Sequence, residues 1–309
     1  MLPLPLSQIA HSLRIAAISV LLISSSCAYA SGPITVETAF GPVLRTEQPK
    51  RVITLGDNAL DASLSLQVEP VGALASRGGN DIPDYLKTES GPLALVGTVR
   101  ETNLEAVLKL KPDLILAAPG LAKEAYAKLS LIAPTVVPKG GVLDDWRSAF
   151  RSYASALGKE VVAEQRLAEI EQRVTALKSR LPSNLSASVV RWNPQGPLMM
   201  SSNLFAGQLL RQLGINANPL SNQLTARPHS DVLSLENLSK ADADWIFLAT
   251  LNPDGKKALE EARQQPAFAR LNAVKNAHVA SVDGQIWSSS SGYLAAQQVL
   301  NDIEKAIIR

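Results

Sequence analysis

Short apolar runs bounded by glycine, proline and polar residues alternate along this chain with stretches whose apolar residues recur every three or four positions. The runs read as buried strands and the stretches as helices with one apolar face. Residues 51–55 form a β-run that Gly56, Asp57 and Asn58 interrupt before a helix over 59–66. A second strand over 71–75 ends at Ser76 and Arg77. A helix over 104–110 stops at Lys111-Pro112, because proline offers no N–H and clashes with the preceding turn. A strand over 114–117, a helix containing 126–129 and a short strand over 135–137 follow.

The middle of the chain has a different rhythm. From Asp144 to Leu181 there is no proline and a single glycine, Gly158. Ala163, Leu167, Ile170, Val174, Leu177 and Leu181 step by four and three, which keeps one apolar stripe on a helix over 159–180. Pro182 ends it. The stripe is too short and too weak at Ala163 to favour a coiled-coil dimer, so it predicts packing within the chain. The first rhythm then resumes. Strands are predicted over 187–192, 246–249 and 279–282, and helices over 205–213, 255–264 and 293–308. Alternating strands and helices imply parallel sheets covered on both faces. The fold class is therefore α/β, with two αβ lobes of mainly parallel sheet joined by one long α-helix. The N-terminal lobe spans 31–143, the linking helical segment 144–182 and the C-terminal lobe 183–309.

One pattern recurs between the halves. Leu104-Glu105, Lys109 and Asp113 return at Leu235-Glu236, Lys240 and Asp244, each at an offset of 131 residues. Each copy reads as a short helix carrying a glutamate, a polar turn and a buried strand. Two such units predict two similar lobes with a comparable acidic residue on each.

Residues 1–30 change the picture of where the protein works. Arg14 precedes the apolar run 15–23, and Ala28-Tyr29-Ala30 precedes Ser31. This is the charged, apolar and small-residue order of an export signal cleaved after Ala30. The apolar run is shorter than the roughly 20 residues needed to span a bilayer. Cys27, the one cysteine, has Ser24 where a lipidation motif prefers leucine, so cleavage is preferred to a lipoprotein anchor. The full chain carries a net charge of +2, and loss of Arg14 leaves +1. A near-neutral chain without charge blocks has no electrostatic footprint for nucleic acid.

Candidate chemistry is sparse. His229 and His278 are the histidines beyond the leader, too few for a tight bare-metal site. His278, just before a strand, reads as structural. No nucleophile elbow, phosphate loop or dinucleotide fingerprint occurs, so an enzyme is not expected. Ligands of open α/β sheets bind beyond the carboxyl ends of the strands. The side chains predicted there are Asn58, Arg77, Arg100, Arg191, Trp192, Arg227 and Trp287. The arginines could present forked donors to an oxygen-rich anion, and the tryptophans flat apolar walls.

Residues 51–61, 68–79, 96–106, 110–116 and 131–135, with Ile286-Trp287 and Ser291-Gly292-Tyr293, resemble iron–siderophore substrate-binding proteins of ABC importers. That is the helical-backbone, class III group of periplasmic binding proteins, and the similarity covers nearly the whole mature chain. The resemblance implies a periplasmic monomer holding a ferric siderophore between two lobes, with no cofactor and no metal ligands of its own. It implies delivery to a dimeric inner-membrane ABC permease through one surface glutamate per lobe, here Glu105 and Glu236. It also places Arg77 against the ferric complex and Trp287 at a cleft aromatic, with Trp192 and Arg227 as weaker transfers. Thr102 departs from the family, where proline often follows the Arg-Glu pair. The alternatives are haem or a corrinoid on the same fold, with Tyr85 and Tyr293 as candidate haem ligands, a bare-metal carrier, or a non-transport accessory in iron release.

Overall fold

The computed structural model describes residues 33–308; the predicted leader with Arg14 and Cys27 lies outside the described residues. An antiparallel hairpin, β1 (Ile34–Thr38) and β2 (Gly41–Arg45), comes first. No sequence signal had pointed to it. The first sheet contains β3 (Val52–Leu55), β4 (Gly72–Ala75), β5 (Ala94–Thr98), β6 (Leu114–Ala117) and β7 (Thr135–Val136). Its order is β5-β4-β3-β6-β7, all parallel. Every residue of β3, β4 and β6 is buried, as expected of strands covered on both faces. The sheet grows in opposite directions from β3 and β6, so a crevice opens beyond their carboxyl ends.

The second sheet holds β8 (Ser186–Asn193), β9 (Gly196–Met199), β10 (Asn216–Ala217), β11 (Trp245–Thr250) and β12 (Val279–Asp283). Its parallel order is β10-β8-β11-β12, and β9 folds back antiparallel on β8. A second switch of direction therefore falls between β8 and β11. The chain is an α/β protein of two lobes, each organised around one such point.

Helix α1 (Asp57–Ser65) starts two residues earlier than the sequence suggests, which brings Asp57 and Asn58 into its first turn. Gly56 makes the turn possible at φ 155°, and a Cβ there would meet the Ala118 Cβ at 3.0 Å. Helix α2 (Leu104–Lys109) and helix α3 (Lys123–Leu129) cover the first sheet. The segment between the sheets is two helices, α4 (Trp146–Leu157) and α5 (Glu160–Lys178). Gly158 separates them by taking the left-handed conformation at φ 66°. The 19 residues of α5 span about 28 Å, and its buried residues are Ala163, Leu167, Ile170, Val174 and Leu177. These are the predicted stripe, except that Leu181 falls beyond the helix end. In the second lobe α6 (Phe205–Gln212), α7 (Pro253–Arg263) and α8 (Gly284–Ser288) precede α9 (Tyr293–Ile303), whose last turn widens into a π-helix over Glu304–Ile308.

The repeated segments adopt matching roles. Asn103 caps α2 by accepting from the Ala106 N–H, and Ser234 caps the 3₁₀ helix Leu235–Ala241 by accepting from the Asn237 N–H. Val107 and Leu238 are buried beneath them. Asp113 accepts from the N–H groups of Lys50 and Arg51 at the entry to β3, and Asp244 accepts from the Ser186 N–H at the entry to β8. Each aspartate thereby pins the register of an inner strand pair. The second helix being 3₁₀ is the one departure.

One apolar core runs through both lobes, from Val52 and Leu114 through α4 and α5 to Val189, Phe247 and Val299. Polar seams reinforce it. Asp61 of α1 accepts from the N–H groups of Leu294 and Ala295 at the start of α9. The Tyr85 hydroxyl lies 2.5 Å from Ser290 Oγ, and Gln285 Nε2 donates to Ser76 Oγ at 2.7 Å. A shared core and buried cross-lobe hydrogen bonds restrict hinge motion.

Candidate functional site

A cleft of about 850 Å³ opens where the two crevices face each other. Gly56, Asp57 and Asn58, Arg77, Arg100 and the 118–122 loop line it from the first lobe. Arg191, Met200, Phe205, His229 and the serines at 288–291 line it from the second, with Trp146 of α4 between. Strand ends and helix starts thus supply most of the surface, as the topology requires.

Arg191 is the innermost cation. It lies on β8, is 6% exposed, and its Nε has no hydrogen-bond partner in the protein. Burial pulls its pKa down, and the neighbouring charge of Arg77 adds to the effect. Arg77 and Arg100 are exposed on the opposite wall, just past β4 and β5. Among the described residues none of these three arginines forms an ion pair within the protein. Asn58 is half-buried at the rim, where its Oδ1 accepts from the Ala59 N–H. Asp57, the neighbour of Asn58 at the same strand end, is buried in the same wall. Burial outweighs the opposing attraction of Arg77 and holds its carboxyl at about 7.

Three expected side chains are placed differently. Trp192 is 2% exposed and packs edge-on against Phe268, with ring centres 6.2 Å apart. Neighbouring residues of a strand point to opposite faces, so turning Arg191 toward the cleft sends Trp192 into the core behind it. Arg227 is exposed, pairs with Asp231 at 2.6 Å, and does not line the cleft, although Pro228 and His229 do. Trp287 lines the cleft but is not an open wall. Its ring stacks on Phe247 at 4.4 Å and its Nε1 donates to Asp302, leaving 1% exposed as part of the floor. Met200, Phe205 and Trp146 had no signal as site residues, because each reads as an ordinary core position.

The remaining candidates lie outside the cleft. Tyr85 is hydrogen-bonded to Ser290 and Asp61, and Tyr293 donates to Glu169, so neither candidate haem ligand lines the cleft. His278 stacks on Trp245 at 4.6 Å, in keeping with a structural role. Glu105 and Glu236 are exposed on the two repeated helices, and Glu105 forms an ion pair with Lys109 at 2.8 Å. Among the described residues no group of three or more His, Cys, Asp or Glu side chains is arranged to hold a metal ion.

Comparison with known proteins bears on the whole arrangement. Residues 72–286 match the family described as periplasmic binding protein. The chain is 31% identical over 271 residues to a "probable siderophore-binding lipoprotein" of Bacillus subtilis, covering 84% of this chain and 83% of the relative. It is 26% identical over 288 residues to the Fe(3+) dicitrate-binding periplasmic protein of Escherichia coli, covering 92% and 93%. The crystal structure of Staphylococcus aureus SirA complexed with staphyloferrin B superposes with a TM-score of 0.78 at 29% identity, covering 88% of this chain and 98% of that one. The chain belongs to the periplasmic binding protein family.

Proposed function

We propose that this protein binds a ferric siderophore in the inter-lobe cleft and delivers it to an ABC importer. The observation that carries the reading is the convergence of Arg77, Arg100 and Arg191 from both lobes on one cleft, none of them in an ion pair among the described residues. A buried guanidinium is costly unless paired, and a ferric chelate presents the oxygen-rich anion that would pair it. Iron wrapped by its chelator needs no protein ligands. The names of relatives and neighbours, which refer to siderophores, ferric dicitrate and staphyloferrin B, support the same reading.

In this reading residues 1–30 export the chain to the periplasm, where it acts as a monomer. Glu105 and Glu236 sit on equivalent helices of the two lobes and are suited to dock on a permease dimer with two related basic pockets. Trp146 and Trp287 line the cleft, so intrinsic fluorescence reports occupancy. Titration with ferric chelates, corrected for their absorbance, should give saturable quenching. Absence of a response to every iron chelate would refute the proposal.

A further inference from the structure

Resting on the ferric-chelate reading for what the cleft holds, a further role falls to two half-buried side chains that do not line it, Tyr85 and Gln285. Arg77 sits in a turn of the first lobe that closes around Ser76. The Ser76 N–H donates to the Asp81 carbonyl at 2.9 Å, and the Gly79 N–H donates to the Ser76 carbonyl at 3.2 Å. The Ser76 hydroxyl gives its proton to the same Asp81 carbonyl at 3.2 Å. Its lone pairs are left for Gln285 Nε2, which donates to it at 2.7 Å from α8 of the second lobe. Ser76 is buried, so water competes little for this bond. Two glycines let the turn lie close. A Cβ on Gly78, whose φ is 80°, would fall 3.2 Å from the Leu251 Cβ, and one on Gly79 would fall 3.3 Å from Gln285 Nε2. The arginine-bearing turn of one lobe is thus seated on the other.

The serine loop shows the converse. Ser290 belongs to the second lobe, is buried, and stands in the cleft lining. Its Oγ lies 2.5 Å from the hydroxyl of Tyr85, on the first-lobe helical turn Asp84–Lys87. That hydroxyl donates to Asp61, so its oxygen is the acceptor for Ser290. The Ser290 N–H donates to the Gln285 carbonyl at 2.8 Å, which joins the two contacts through α8. We propose that Gln285 and Tyr85 are positioning residues for the ligand. Each reaches from one lobe to fix a ligand-facing segment of the other, Gln285 the Arg77 turn and Tyr85 the Ser290 loop. A segment ordered in advance loses less conformational freedom on binding, so these braces raise affinity without touching the ligand. Loss of either removes one neutral hydrogen bond, a change of about threefold to tenfold in an equilibrium constant.

Hydrogen exchange in the unliganded protein tests the braces, and titration tests their consequence. Gln285→Ala should speed amide exchange in residues 76–81 of the opposite lobe by about threefold to tenfold, and Tyr85→Phe should do the same in residues 288–292. Exchange at the parental rate in either segment would overturn that brace. The parent is titrated with ferric citrate in excess citrate, an iron(III) tris-catecholate and an iron(III) tris-hydroxamate, and the variants with whichever binds most tightly. Each single variant should weaken binding by about threefold to tenfold. Gln285→Ala should add little once Arg77→Gln is present, and Tyr85→Phe little once Ser290→Ala is present, because each acts through its partner segment. Full additivity in these pairs, or undiminished affinity in the single variants while the parent binds, would overturn the positioning role and leave the ferric-chelate reading standing. A parent that binds none of the three chelates would overturn that reading and the positioning role with it.

Discussion

Asp61 offers the sharpest test of how the lobes are held together. Its side chain is wholly buried on α1 and accepts from the N–H groups of Leu294 at 3.0 Å and Ala295 at 2.8 Å. These are among the N–H groups that α9 cannot satisfy within itself. The Tyr85 hydroxyl is a third donor, at 3.3 Å. Gly292 lets the carboxylate approach, since its φ is 150° and a Cβ there would fall 2.3 Å from the Asp61 Cγ. Asp61→Ala strands two buried amide donors. Each stranded donor costs about 1–3 kcal/mol, and loss of a helix cap alone typically costs about 1 kcal/mol. Allowing for overlap, the variant should lose about 3 kcal/mol. For a chain of this size that lowers Tm by roughly 6–12 °C. Asp61→Asn keeps one acceptor oxygen and should lose less than half as much. Urea denaturation followed by near-ultraviolet circular dichroism measures both. Asp61→Ala within about 0.5 kcal/mol of the parent, the range of ordinary surface substitutions, would refute the argument.

Other consequences can be checked more briefly. The Asp57 carboxyl is raised by burial to about 7 from an ordinary 3.8. Its contribution to stability is therefore fully present below pH 3.8 and lost as pH rises through 7. In the cleft, its ionisation adds a negative charge beside Arg77, so affinity for an anionic chelate of constant charge should fall between pH 6 and 8. Asp57→Asn should flatten that dependence, and an unchanged slope in titrations at the two pH values would rule out its role. Trp192→Ala should cost about 3–5 kcal/mol in chemical denaturation, as for other large core truncations, yet leave ligand affinity nearly unchanged in the folded protein. A selective loss of binding would return Trp192 to the cleft. Glu105→Ala combined with Glu236→Ala should leave the binding titration intact and abolish chelate uptake by cells; undiminished uptake would remove the docking role.

Much of this protein was written in local pattern. The stripe from Ala163 to Leu177 dictated α5, because a period near 3.6 can bury only one helix face. The runs at 51–55 and 114–117 dictated inner strands, and the 131-residue repeat carried the likeness of the lobes down to its helix caps and strand-pinning aspartates. These features depend on neighbours a few residues apart. The hairpin β1–β2 escaped notice because its strands are half exposed and lack a continuous apolar run. The cleft was legible only as a set of strand ends. Which side chains enter it depends on strand facing and on loop paths set by distant partners. One step along β8 separates Arg191 in the cleft from Trp192 in the core, and two steps beyond Arg227 bring in His229. Asp57 became a site residue because α1 begins at the switch between β3 and β6. Its raised pKa arises from burial by segments remote in sequence. Local spacing determined the elements; the tertiary packing decided which polar groups would lose water together, and that shared desolvation makes the cleft a site.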